Sequence, residues 1–239
     1  MIIIFTFFMS VPVNYKKVMV VVPAFNEQGS VAAVIKSLLE LGLEVILVDD
    51  GSEMEIKNEL EGLPVYFLRH SVNLGQGAAI QTGIEFALEK NAEYIITFDA
   101  DGQHNTGDIE TLLQPLVSKK AEIALGSRFL PGAHHNMKRS RMIILKLGRY
   151  INYMFTGLFL SDTHNGLRAM TAGAAKKIQL MENRMAHASE ILSQIRLHKI
   201  SYVEVPVLIT YTSYSRQKGQ SSVNSFRIFF DLLLNKFFK

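Results

Sequence analysis

The sequence predicts an α/β fold: a mainly parallel sheet flanked by helices. Three observations carry that expectation. Short β-branched runs recur through the first half of the chain. Stretches of helical periodicity separate them, and the polar residues fall directly after the runs. Strands buried on both faces and alternating with helices form parallel sheets, whose ligands gather at the carboxyl ends of the strands.

The strand runs are residues 18–22, 45–48, 65–68, 94–98 and 122–125. Helical patterns lie at about 30–41, 53–60, 76–90 and 107–118. Residues 203–207, which contain Pro206, read as an edge strand, because proline donates no ladder hydrogen bond.

Composition narrows the function. The chain has 239 residues, 48% hydrophobic and 20% charged, so it can bury a large core. It has no cysteine, which removes disulfides, thiolate metal sites and cysteine nucleophiles. Net charge is only +3, but residues 1–122 carry 17 acids against 8 bases, and residues 123–239 carry 5 acids against 17 bases. One half is prepared for cations and the other for anions. The apolar residues 1–17 form an N-terminal extension, disordered or touching lipid. Thr6, Ser10 and Pro12 break its apolar run short of the roughly 20 residues that a membrane span requires.

The polar rim follows the strands in order: Asn26-Glu27, Asp49-Asp50-Gly51-Ser52, Asp99-Ala100-Asp101-Gly102-Gln103 and Ser127-Arg128. Each motif also serves as turn chemistry, since Asp, Asn and Gly end strands for conformational reasons alone. Alternate residues of an extended stretch point the same way, so Asp99, Asp101 and Gln103 present three oxygens to one cation. Such hard ligands suit Mg²⁺ or Mn²⁺. Asn73-Leu74-Gly75-Gln76-Gly77 opens a helix, where backbone N–H groups attract an anion. The loop lacks the third glycine of a dinucleotide fingerprint. His104 adjoins the acidic motif, whereas adjacent His134 and His135 point apart and read as a surface loop.

This ordered set resembles family 2 glycosyltransferases of the GT-A fold, the Rossmann-like fold of nucleotide-diphospho-sugar transferases. The resemblance runs over roughly residues 18–225. Asp99 to His104, Gly166-Leu167-Arg168 and Gly219-Gln220-Ser221-Ser222 are similar to the branch of dolichyl-phosphate mannose synthase and bacterial polyprenyl-phosphate glycosyltransferases.

The resemblance implies a GT-A catalytic domain over residues 18–224. Pro23, Ala24, Asn26, Glu27, Asn73, Gly77 and Ala100 would line the nucleotide-sugar pocket, with Asp50 against the base. Asp99, Asp101 and Gln103 would hold the metal at the donor diphosphate. Arg128 would sit where an acceptor phosphate approaches, and Arg216 and Lys218 would close over the diphosphate. Gln76 stands where many relatives carry lysine. Glu190 is the nearest candidate for a catalytic base; a lipid phosphate, already anionic, needs none.

The second half adds a surface. Residues 123–161 hold six bases and no acid. Over about 138–160 the pattern is helical, with Lys138, Arg141, Lys146, Arg149, Asn152 and Thr156 on one side and aliphatic and aromatic residues elsewhere. Such a helix suits a bilayer interface, or packs on the core with a solvated basic face. Residues 225–239 repeat the amphipathic theme, for a membrane, a small membrane protein or a second copy of the chain. Nucleic acid is a poor partner, because the bases are interleaved with bulky aliphatics.

The resulting expectation is a metal-dependent inverting transferase, peripheral on the cytosolic membrane face. It would move a hexose or N-acetylhexosamine from a nucleotide sugar, UDP-linked by preference, to polyprenyl (undecaprenyl) phosphate for envelope polysaccharide or glycan modification. The alternatives are a transferase extending a lipid-linked polysaccharide at a sugar hydroxyl, and a non-catalytic nucleotide-sugar-binding subunit.

Overall fold

The computed structural model describes residues 12–54, 56–137, 139–183 and 186–211. Residues 1–11 of the apolar extension, Arg216, Lys218 and the 225–239 helix lie outside the described residues.

In chain order the elements are β1 (Val18–Ala24), α1 (Val31–Glu40), β2 (Glu44–Asp49), β3 (Tyr66–Arg69), α2 (Gln76–Glu89), β4 (Tyr94–Thr97), α3 (Asp108–Val117) and β5 (Ile123–Ser127). There follow β6 (His134–His135), α4 (Arg139–Thr156), β7 (Arg168–Thr171), α5 (Ala172–Ala175), α6 (His187–Leu197), β8 (Tyr202–Pro206) and β9 (Leu208–Ile209). The main sheet has the order β3-β2-β1-β4-β7-β5-β8. The pairs β1–β2, β1–β4, β2–β3 and β5–β8 are parallel; β7 runs antiparallel between β4 and β5.

Alternation along the strands builds two cores. Val18, Val20 and Val22 face one way and pack with Ile35 and Leu38 of α1 and Ile109 and Leu112 of α3. Met19 and Val21 face the other way, among Ile80 and Ile84 of α2 and Ile191 and Ile195 of α6. All seven residues of β1 are buried, as expected for a central strand covered on both sides.

Three local expectations are corrected. Residues 53–60 give only a 3-10 turn, Ile56–Leu60. His134 and His135 are not a loop; they form β6, paired with β9. The 138–160 helix ends at Thr156, where Gly157 turns with φ +69°. β8 lies at the sheet edge, with Pro206 opposite Ser127.

Candidate active site

Asp99 lies two residues past the end of β4, after Phe98, at the carboxyl end of the central sheet. His104 Nε2 bonds Asp99 Oδ2 at 2.9 Å, and Gln76 Nε2 donates to Asp99 Oδ1 at 3.1 Å. Thr97 Oγ1 donates to the Gly166 carbonyl at 2.7 Å. This brings residue 166 so close that a Cβ there would lie 2.4 Å from Asp99 Oδ2. Burial pushes the Asp99 carboxyl up, but the His104 bond and the positive charge of His104, His187 and Arg168 outweigh it and hold the group below the usual carboxylate range.

Asp101 behaves oppositely. Burial raises it most, and the negative charges of Asp99 and Glu27 add to that, so its carboxyl is pushed up to about 6. Gln103 donates its backbone N–H to Asp101 Oδ1 at 3.0 Å and its side-chain amide to Oδ2. The Asp99 and Asp101 carboxylates thus repel each other, with the charge of Glu27 adding to it, and a cation would relieve that repulsion. Among the described residues no three His, Asp or Glu side chains form a ready metal cage. Two carboxylate ligands plus substrate phosphates are what Mg²⁺ ordinarily takes, so Asp99 and Asp101 fit a divalent ion that the substrate completes. Gln103 joins them only if its amide turns its oxygen outward.

The neighbouring loops are latched together. Asn26 has φ +54°; its N–H donates to Ser52 Oγ at 2.9 Å, and its side chain accepts from Glu53 N at 3.0 Å. Pro23 and Ala24 are buried, in register with Val48 and Asp49. Ala100 is buried in the core, so its methyl anchors the acidic turn. Asp50 is almost wholly enclosed. Its Oδ1 accepts from Leu74 N at 3.0 Å and bonds His70 Nδ1 at 2.7 Å, while Oδ2 accepts from Gly75 N at 2.7 Å. That leaves one lone pair for a base.

The glycine loop is not an open anion cradle. The Leu74 and Gly75 N–H groups go to Asp50, and those of Gly77 and Ala78 point to the Asn183 carbonyl at 2.8 and 3.4 Å. Gly77 is needed for that packing, because a Cβ would meet the Glu182 carbonyl at 2.1 Å. Asn73 is exposed on the loop, its backbone against Gly51.

Arg128 is buried and already engaged. Nε and Nη2 donate to the two oxygens of Asp162, both at 2.6 Å, and Nη1 donates to Tyr211 Oη at 2.9 Å. Burial would lower the Arg128 pKa, but Asp162 more than reverses this; Arg128 in turn holds Asp162 low against its own burial. Glu204 accepts the backbone N–H groups of Ser161 and Asp162 and so braces the pair. The expected meeting of Arg128 with an acceptor is therefore not prepared by this geometry. Glu190 is likewise engaged, accepting Met181 N at 2.9 Å and Glu182 N at 3.0 Å.

From the sequence, Arg168 stands out only within the Gly166-Leu167-Arg168 motif, and neither His187 nor His70 is singled out. Arg168 opens β7, buried, with Asp99 and Asp162 as charged neighbours; burial lowers its pKa to about 10, against the effect of those two carboxylates. His187 is buried at the start of α6 beside Asp99 and Gly77. His70 follows β3. A polar residue immediately after a strand is the signal that would have found His70.

α4 faces opposite to the usual rule. Asn152 and Thr156 point inward; Asn152 Nδ2 donates to Ser189 Oγ at 3.1 Å, and Thr156 Oγ1 donates to the Asn152 carbonyl at 2.9 Å. Outward lie Ile143, Leu147, Tyr150, Tyr153 and Met154, the last 81% exposed. Spacings of three and four put these residues on one stripe. The Arg149 guanidinium stacks 4.9 Å from the Tyr150 ring and 5.0 Å from the Phe159 ring, and Lys146 sits 5.6 Å over Phe129. No helix among the described residues is long and apolar enough to cross a membrane.

Comparison with known proteins bears on this rim. The profile of the family described as Glycosyl transferase family 2 matches residues 19–179. A UDP-N-acetylglucosamine–dolichyl-phosphate N-acetylglucosaminyltransferase of Methanococcus voltae is 32% identical over 242 residues, covering 92% of this chain and 96% of that protein. An undecaprenyl-phosphate mannosyltransferase of Micrococcus luteus is 27% identical, covering 87% of this chain and 88% of that protein. Glucosyl-3-phosphoglycerate synthase from Mycobacterium tuberculosis, solved with Mn²⁺, UDP and glucosyl-3-phosphoglycerate, shares the fold at a TM-score of 0.66 and 13% identity, covering 92% of this chain and 79% of that chain. With more than half its length matched and its acidic turn at the carboxyl rim of the sheet, the chain belongs to glycosyl transferase family 2 and is a glycosyltransferase of the GT-A fold.

Proposed function

We propose that the enzyme transfers a sugar from a UDP-linked donor to a polyprenyl phosphate at the cytosolic face of the membrane. One observation carries the donor half: the Asp99–Asp101 pair after β4, with Asp101 pushed up to about 6 by burial, Asp99 and Glu27. Asp99 and Asp101 would hold Mg²⁺ or Mn²⁺, with Gln103 beside them. When bound, the ion supplies positive charge at the donor diphosphate. Pro23, Ala24, Asn26 and Glu27, at and beyond the end of β1, would line the nucleotide pocket together with Asn73. Arg216 and Lys218, which follow β9 in the chain and lie outside the described residues, would add cationic charge at the diphosphate.

The occupied carboxylates support a phosphate acceptor. A sugar hydroxyl needs a base, yet Asp162 is tied to Arg128 and Glu190 to the 181–182 backbone. A lipid phosphate oxygen attacks the anomeric carbon unaided. The new C–O bond forms as the bond to the diphosphate breaks, UDP leaves with the electron pair, and the anomeric configuration inverts. The names of the Methanococcus voltae and Micrococcus luteus relatives support the same acceptor class. The outward apolar stripe of α4, set among Arg141, Lys146 and Arg149, supports peripheral docking on an anionic leaflet.

The test is incubation of the purified protein with Mn²⁺, radiolabelled UDP-sugars and polyprenyl phosphate in vesicles. A labelled lipid whose sugar is released by mild acid is expected. Donor turnover onto a glycan hydroxyl, with no labelled lipid, would overturn the acceptor assignment.

A further inference from the structure

His70 links the end of β3 to the rim. Its Nδ1 bonds Asp50 Oδ1 at 2.7 Å, and its Nε2 bonds Thr82 Oγ1 at 3.0 Å. An ionised carboxylate only accepts, so Nδ1 carries a proton toward Asp50, and Nε2 shares its hydrogen bond with the Thr82 hydroxyl. Asp50 in turn accepts Leu74 N and Gly75 N. The next residue, Gln76, donates to Asp99 at 3.1 Å. Gly51 has φ +72°, and a Cβ there would lie 2.6 Å from the Val72 carbonyl carbon, so the loop backbone seats directly on the Asp50-Gly51 turn. The neighbouring Arg69 grips the same turn, donating to the Ser52 carbonyl at 3.0 Å.

We infer that His70 is a positioning residue of the donor site: through Asp50 it fixes the 73–76 loop, and through Gln76 it fixes the Asp99 carboxylate that grips the metal–diphosphate. Asp50 then acts as the loop's anchor rather than chiefly as a reader of the base. The relay has a physical rationale. Backbone N–H groups that would otherwise face water are gathered on one carboxylate, and a ring locked at both nitrogens cannot swing. Metal ligands held by such a hydrogen-bond network lose little entropy when substrate arrives.

The inference rests on the reading of this rim as the nucleotide-sugar site, so its test is chosen to stand apart from the acceptor. Calorimetry measures UDP binding in the presence of Mn²⁺ for wild type, His70→Ala, His70→Asn, His70→Gln and Thr82→Val, with melting temperature recorded for each. Asparagine places an N–H near the Nδ1 position and restores the bond to Asp50; glutamine reaches the Nε2 position and does not. Weakening of about tenfold is expected for the alanine and glutamine variants, the size of one hydrogen bond to a charged group. Asparagine should recover to within about threefold of wild type, with Thr82→Val between them. Where the alanine variant does not fold, the asparagine–glutamine contrast decides. Equal affinities for the asparagine and glutamine variants, or an alanine variant that binds like wild type, overturn the inference. If this pattern holds while wild type makes no labelled lipid, the relay stands and the acceptor reading falls. If wild type makes the lipid but the pattern is absent, the relay alone falls.

Discussion

Arg128 and Asp162 form a buried ion pair joined by two hydrogen bonds of 2.6 Å, with Tyr211 Oη on the remaining face of the guanidinium. Removing one partner leaves a charge buried without its counter-ion, at a cost of roughly 3–5 kcal/mol. Asp162→Ala should therefore lower the melting temperature by about 10 °C. Replacing both residues with apolar ones of similar volume should recover much of that loss. Thermal unfolding followed by circular dichroism checks both variants. A fully stable Asp162→Ala protein would show that the pair is not structural.

The Asp101 carboxyl, pushed from 3.8 up to about 6, sets the pH dependence of the metal site. Its folded value lies above its unfolded value, so the metal-free protein loses stability as pH rises through that interval. A divalent ion needs the ionised form. Affinity for Mn²⁺ should fall by about tenfold per pH unit below about 6, and Mn²⁺ should raise the melting temperature more at pH 7.5 than at pH 5. Titrations at both pH values decide the point.

Gly166 leaves room for Asp99. Gly166→Ala places a methyl where Asp99 Oδ2 now lies 2.4 Å away. Backbone and carboxylate must shift apart, at about 1–3 kcal/mol. The variant should fold with a modestly lowered melting temperature and bind Mn²⁺–UDP at least tenfold more weakly. Normal affinity would mean that Asp99 moves without consequence.

Leu147 and Met154 point to solvent on α4, 58% and 81% exposed. Leu147→Glu with Met154→Glu should leave the melting temperature within about 2 °C, as exposed changes cost little, and abolish sedimentation with anionic vesicles. Undiminished vesicle binding would remove this stripe from the docking surface.

The strand positions were readable because buried β-branched runs have no polar competitor, as in Val18–Ala24. β7 escaped because it opens on Arg168 and Thr171 is its single β-branched residue. Its neighbours in the sheet, β4 and β5, are contributed by residues far away in sequence. The acidic rim was readable from spacing. The partners of Asp50, Arg128 and Glu190 were not, since each bond joins separate segments of the chain. α4 shows a further limit: periodicity identifies an apolar face but not which way it turns. Here buried Asn152 and its bond to Ser189 of α6 set the direction.

The pairing of Asp99 and Asp101 around a divalent ion at the donor diphosphate is tested most directly by calorimetry of UDP binding with and without Mn²⁺, in wild type and in the Asp99→Asn and Asp101→Asn variants. Binding should require Mn²⁺ and be lost in both variants. Binding of equal strength without the ion, or unchanged in the variants, would contradict that pairing.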